Sequence, residues 1–264
     1  MSRTTKILLL AAGILSGAVA LFLTFTRPSI LSPTAAAEAT DVVMRGYSAA
    51  GDPTWEMRAA RGEIVEREGT LVDVVVDLFQ RGKEPIRVSA DRLVREGETA
   101  LLDGGVRIER DDGLEIETDA VTWRENAETL TSGETTLSYE DGELRADSFD
   151  YDLRTRRGEL TGVTVTLEGE SELRVVSERA ELAEDLLTLE GGVHAVSSEG
   201  TLDAERLTAT LDGDSVVLSG GVAAEGEGFS ASADAAEVQE DGWVLRGDVS
   251  VDAELSKLGG DRGS

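Results

Sequence analysis

The sequence predicts an all-β body behind one apolar N-terminal helix, and three observations predict it. From Gly46 onward apolar and polar residues alternate with a period of two, which sends successive side chains to opposite faces of a strand. One pattern returns every 27 to 31 residues, a spacing typical of repeat architectures. Acid–glycine pairs lie between the alternating runs at Asp112-Gly113, Asp141-Gly142, Asp212-Gly213 and Asp241-Gly242, where glycine supplies the positive φ of a tight hairpin. With 29 glycines, 4 prolines and only 4% aromatic residues, the composition suits short strands and turns better than long helices.

The elements follow in chain order. Ile7 to Phe25 is uncharged and predominantly apolar, and as a helix it is long enough to cross the hydrocarbon core of a membrane. Arg3 and Lys6 precede it, which favours a cytoplasmic N-terminus and a body on the far side. A cleaved secretory signal ending at Ala35-Ala36-Ala37 is the competing reading. The length of the apolar run and the Arg27-Pro28 that follows it favour an uncleaved anchor. Residues 1–25 are therefore read as cytoplasmic tip and anchor. Residues 26–40, rich in Pro, Ser, Thr and Ala, are read as a tether, and 256–264 as a flexible tail.

Within the body each unit opens on an alternating run that ends in a small residue and an acid. Examples are Val88-Ser89-Ala90-Asp91, Ile116-Glu117-Thr118-Asp119, Leu144-Arg145-Ala146-Asp147, Val175-Val176-Ser177-Glu178 and Leu202-Asp203-Ala204-Glu205. The second half restarts on Gly-Val, as at Gly105-Val106, Gly162-Val163, Gly192-Val193 and Gly221-Val222. After each small–acid pair the apolar parity slips by one: the next apolar residue after Ala90 is Leu93, after Ala146 Phe149, after Ala204 Leu207. A recurrent slip is what a β-bulge or a corner requires, so each such strand is expected to bend at the pair. The predicted fold is a folded-over antiparallel β-jelly-roll of about seven two-strand repeats. Its inner face would carry Trp55, Met57, Val74, Val76, Val88, Ala90, Val106, Ile108, Ile116, Leu144, Ala146, Val163 and Val165. Such a face is either an ordinary sandwich core or a trough that admits something apolar.

Charge and composition narrow the function. The formal net charge of -28 repels phosphate backbones, which argues against a nucleic-acid partner. Lys6, Lys83 and Lys257 are the only lysines, a bias that points to a salt-adapted source. With no cysteine there is neither a disulfide nor a thiolate metal site. His194, the only histidine, lies between Val193 and Ala195 and is expected to point outward, with no base or nucleophile beside it. Asp212-Gly213-Asp214 reads as a turn rather than a metal cage, and no glycine loop fits a phosphate cofactor. Trp55, Trp123 and Trp243 are too dispersed for a carbohydrate-cleaving cleft. No catalytic residue, metal or cofactor is expected. A body that binds lipid or protein, and one that serves structural or adhesive display, remain as the two classes to weigh.

The opening Gly46-Tyr47 … Gly51 … Trp55-Glu56-Met57-Arg58-Ala59 stands behind the anchor and is followed by Val72-Asp73-Val74, Val88-Ser89-Ala90-Asp91 and Leu102-Asp103-Gly104-Gly105-Val106. This arrangement resembles the LptC family of lipopolysaccharide export proteins, over roughly Met1 to Leu167. Leu173 to Val251 looks more like the related LptA/OstA repeat. The chain is thus divided into an LptC-like jelly-roll at 41–170 and an LptA/OstA-like continuation at 171–255. The resemblance implies a single-pass protein of the inner membrane with a periplasmic body. That body would accept lipopolysaccharide or a similar amphiphile from an ABC transporter and dock edge to edge with an LptA-like partner. The resemblance brings no catalytic residues with it.

Overall fold

The computed structural model describes residues 37–253 apart from short segments at 49–50, 66–67, 80–84, 110–112, 114, 125–126, 140–141, 153, 156, 169–171, 184–185, 211–214 and 240–241. The anchor at 7–25, most of the tether, the tail, and all or part of each acid–glycine turn lie outside the described residues. Among the described residues the regular elements are all strands: β1 (Ala37–Tyr47), β2 (Pro53–Val65), β3 (Glu68–Leu78), β4 (Ile86–Glu96), β5 (Thr99–Glu109), β6 (Glu115–Arg124), β7 (Thr129–Ser132), β8 (Thr135–Tyr139), β9 (Gly142–Ala146), β10 (Ser148–Asp152), β11 (Arg157–Leu167), β12 (Leu173–Ala183), β13 (Leu186–Ser197), β14 (Gly200–Thr210), β15 (Val216–Gly226), β16 (Phe229–Gln239), β17 (Gly242–Arg246) and β18 (Ser250–Ala253). The all-β expectation holds, and the pairings with a defined register are antiparallel. One boundary moves: β1 begins at Ala37, so the last positions of the expected tether are strand, held by pairing with β2.

These residues form two compact units, 37–140 with 146–158 and 141–145 with 159–253. In the first, β1 to β6 pair in succession. The two halves of β6 then part company. Glu115 to Thr118 pair with β8, Val121 to Arg124 pair with β7, and β7 pairs in turn with β10. In the second unit β9 pairs with the end of β11, and β12 to β16 form a meander. Its last long strand, β16, is shared between β17 and β18.

The strands of the first unit switch face partway along their length. In β2 the buried positions Met57 and Ala59 are followed by Gly62, in β3 Val76 and Val74 by Leu71, and in β4 Val88 and Ala90 by the half-buried Leu93. The register between β2, β3 and β4 does not shift, so the three switches lie at one level. Strands that change face together turn a corner, and both arms keep their apolar side inward. Asp41 in β1 and Asp73 in β3 sit at that level with φ of 52° and 55°, a region that aspartate tolerates better than bulkier residues. The switch thus occurs in the first unit of the repeat as well, where parity had not revealed it.

From β5 onward the corner is built differently. Between Asp103 and Val106 of β5, Gly104 and Gly105 face the single residue Asp119 of β6, and the register shifts by one. Gly191-Gly192 face Glu205 and Gly220-Gly221 face Asp234 in the same way. The extra residue of each bulge therefore belongs to the Gly-Gly strand, and the shift falls opposite the small–acid pair of its neighbour. Two facts explain why glycine is needed. Gly104 and Gly105 have φ of 83° and 84°. In addition, the acid of the neighbouring strand lies over the first glycine: a Cβ on Gly104 would stand 2.5 Å from Asp91 Cβ, and one on Gly220 2.6 Å from Glu205 Cβ. At Gly247 the carboxylate does further work, since Asp234 Oδ2 accepts the Asp248 backbone N–H at 3.1 Å.

Candidate functional site

The inner face is built in transverse rows, each strand supplying one residue. In the first unit one row runs Met44, Met57, Val76, Val88, Ile108, Ile116 and Leu137 across seven strands. From Met57 onward every member is buried. The next row, nearer the corner, carries Ala59, Val74 and Ala90, and continues past the bulge as Val106 and Thr118. Thr118 is a polar member of this buried layer, and its hydroxyl donates to the Glu134 carbonyl at 2.8 Å. Trp55 closes the arm. It lies opposite Gly46, where any Cβ would fall 2.0 Å from the indole Nε1, so the missing side chain is what lets the ring lie flat on β1.

Past the corner the rows were not named from the sequence. One contains Gly62, Leu71, Leu93, Leu102, Val121 and Ser132. The outermost contains Gly69, Arg95, Ala100, Trp123, Leu130 and Tyr151. The signal was present: once parity slips at Ala90, the inward positions of β4 become Leu93 and Arg95. Trp123, Leu130 and Tyr151 are buried, whereas Arg95 and Ala100 are half-buried. Among the described residues Arg95 is the one charged side chain in these inner rows of either unit.

In the second unit Leu144 pairs with Val165 across β9 and β11. Leu144 and Val163 are buried and Val165 is half-buried, while Ala146, which falls in the first unit, is buried. A cluster of Ala204, Leu218, Val222 and Ala236, with Leu202, Leu207 and Leu245 against it, forms the core of the meander. Beyond its bulges the inner row is Val175, Ala195, Leu202, Ala224 and Ala231, all half-buried. Of the thirteen inner-face residues named from sequence, twelve are buried and Val165 is half-covered.

The outer face is charged and self-paired. Asp77, itself nearly buried, accepts from Arg58 Nη2 and from Arg87 Nε, the latter at 2.9 Å, and Arg45 Nε meets Glu56 at 2.6 Å. Hydrogen bonds from Arg92 at 2.9 and 2.6 Å hold Asp103 below the usual carboxylate range, and the same carboxylate raises Arg92. Hydrogen bonds to the nearby carboxylates likewise raise Arg45, through Glu56, and Arg87, through Asp77. Arg107 is raised by the charge of Glu115 and, more weakly, of Glu117 and Glu109. His194 points outward as expected, with Nδ1 2.6 Å from Asp203 Oδ1 and half its side chain exposed. Among the described residues no group of three or more His, Cys, Asp or Glu is placed to hold a metal ion. The inner face of the described residues is largely aliphatic and mostly covered by the protein itself, and the charges lie mainly on the outer face.

A search among curated proteins finds no match. Residues 7–168 match the family described as lipopolysaccharide-assembly, LptC-related, a stretch that takes in more than half of the chain and includes the Gly46–Trp55 contact, the corner and the Gly104-Gly105 bulge. With an antiparallel strand body carrying those features, the chain belongs to the LptC-related family of lipopolysaccharide-transport proteins.

Proposed function

We propose that this protein is the membrane-anchored link of a lipopolysaccharide export bridge. The segment at 7–25 holds the chain in the inner membrane with its N-terminus in the cytoplasm, and the strand body stands in the periplasm as a folded-over β-jelly-roll. Lipopolysaccharide, or a related amphiphile, arrives from an ABC transporter, lays its acyl chains along the inner rows and leaves toward an LptA-like partner docked on a strand edge. The observation that carries this reading is the row Met57, Val76, Val88, Ile108, Ile116 and Leu137, an unbroken aliphatic strip crossing the family-matched region. Each methylene transferred to such a surface contributes about 0.8 kcal/mol, so a few carbons of acyl chain suffice for affinity without help from the acidic exterior. The chain moves its cargo and does not transform it.

Because most inner residues are covered by the protein itself, entry requires the two arms to part, beginning at the half-buried rows past the corner. Photo-crosslinking side chains at Val106 and Val165 are expected to capture lipid during transport in cells. Capture confined to the outward neighbours Arg107 and Thr164 would overturn the inner-face route.

A further inference from the structure

We infer that the outer face of β1 to β4, on the arm that carries Tyr47 and Phe79, rests on the anionic headgroups of the membrane that holds the anchor. This builds on the proposed anchoring at 7–25 and says which surface the anchor brings down. Among the described residues of the first unit, the large hydrophobic side chains most open to solvent are Val43, Tyr47 and Phe79, at 53, 59 and 40% exposed. All three belong to this one face. Val43 shares a transverse row with Arg58 and the half-buried Val75. Tyr47 lies opposite Pro53 at the end of the arm. Phe79 follows the outward Asp77 by two positions, and its N–H donates to the Thr54 carbonyl at 2.9 Å. Between these apolar groups runs a charged row, Arg45, Glu56, Asp77 and Arg87.

The charge of this face sets it apart from the rest of the arm. Three guanidinium groups, of Arg45, Arg58 and Arg87, meet two carboxylates, of Glu56 and Asp77, and Asp77 is shared by Arg58 and Arg87. One positive charge is left in excess, and about half of each arginine side chain stays exposed. From β5 onward the same rows turn acidic, with Glu109, Glu115 and Glu117 around Arg107. The chain as a whole carries a net charge of -28. A tether of residues 26–36 spans at most about 40 Å at full stretch, so an anchored body meets its membrane repeatedly. Within a Debye length of about 8 Å a net-negative surface is repelled by anionic headgroups, which favours approach by the β1–β4 face. Once there, guanidinium N–H groups not used on carboxylates reach phosphate oxygens, while Tyr47, Phe79 and Val43 enter the apolar side of the headgroup layer.

The lack of cysteine in the chain makes the test direct. Full-length protein carrying Val43→Cys, Tyr47→Cys or Phe79→Cys, each labelled with a polarity-sensitive fluorophore, is reconstituted into vesicles of phosphatidylcholine with or without phosphatidylglycerol. Circular dichroism checks that every variant keeps its strand content. In the anionic vesicles the three labels should shift to the blue and be quenched by a lipid-borne quencher, whereas a label at Thr136→Cys, outward on β8, should stay in water. The shift should be smaller in neutral vesicles. Raising the salt to about 1 M, where the Debye length falls to about 3 Å, should reverse most of it. Arg58→Gln combined with Arg87→Gln turns the excess charge negative and should abolish the shift of the Tyr47→Cys label while the protein stays anchored. Labels at 43, 47 and 79 no better shielded than the one at 136 would overturn the inference, as would shielding that arises only when a protein partner is added. A shift indifferent to salt and to the paired arginine substitutions would overturn it as well, by removing charge from the contact. Failure of the anchor reads differently: the wild type would then wash off both kinds of vesicle in alkaline carbonate, and the inference would fall with the anchoring it rests on.

Discussion

The two compact units share a strand plan but fill it differently. The first packs Trp55, Met57, Ile108, Ile116, Trp123, Leu130 and Leu137 into its inner rows and leaves little uncovered. The second relies on leucine and valine on one side of its bulges, at Leu187, Leu189, Val216 and Leu218, and on alanine past them, at Ala195, Ala224 and Ala231. Outside, the first unit joins β1 to β6 with a lattice of arginine–carboxylate contacts, whereas β13 to β16 carry one arginine, Arg206, paired with Glu190, and the exposed His194–Asp203 contact. The difference teaches that backbone geometry sets this architecture and that side-chain bulk decides how tightly each stretch of it closes. The second unit is the more loosely covered of the two.

Truncating the most covered large residues gives the largest expected effect. Leu130→Ala and Leu218→Ala should each cost about 2–5 kcal/mol, read from urea unfolding. If Leu218→Ala proves nearly neutral, the second unit has no packed core and the contrast is deeper than described. Next come the bulges, which test what the units share. Gly104→Ala and Gly220→Ala meet both a positive φ and an overlying carboxylate side chain, and each should cost about 2–4 kcal/mol. Gly105→Ala, with the same φ sign but open space around its Cβ, should cost only about 1–2 kcal/mol. Equal losses at Gly104 and Gly105 would remove the overlying acid from the explanation.

A third pair addresses closure itself. Ala90→Val enlarges a buried position and should destabilise by about 1–3 kcal/mol, while Ala224→Val at a half-buried position should stay within about 0.5 kcal/mol. Thermal melts that rank the two in the opposite order would reverse the comparison. The smallest effect belongs to Arg92→Gln. Because Arg92 depresses the Asp103 carboxyl, the pair stabilises the fold above the pH where that carboxyl ordinarily titrates, and the contribution fades as pH falls through the lowered folded-state value. The variant should flatten the acid limb of the stability curve slightly, and added salt should hide the change.

Much of this was legible because alternation records which face a residue occupies. Period-2 runs located the strands, and the slip after Ala90 located the corner. What parity could not reveal was which strand supplies the extra residue: a slip in β4 looks the same whether the bulge lies in β4 or in its partner. The Gly104-Gly105 pair held the answer, since only positive φ demands two glycines there, yet one glycine is also what a hairpin would ask for. The splitting of β7 from β8 at Gly133 and of β9 from β10 at Asp147 left no periodic trace, because four- and five-residue strands are too short to show one. Alternation places twelve of the thirteen inner-face residues where the structure has them buried, with Val165 half-covered. Arg95 and Trp123, beyond the corner, are not legible by simple alternation, because the parity slip moves the inward positions by one.

The glycine bulges have one further consequence. Each Gly-Gly strand spends one residue more across its bulge than the neighbour on either side. The shift entered between β12 and β13 is thus undone between β13 and β14, and likewise that between β14 and β15 is undone between β15 and β16. Every second strand therefore returns to the starting phase. A duplicated pair of strands could be spliced into the gene without re-registering anything downstream, so the length of the protein can change in whole steps while its cross-section stays the same.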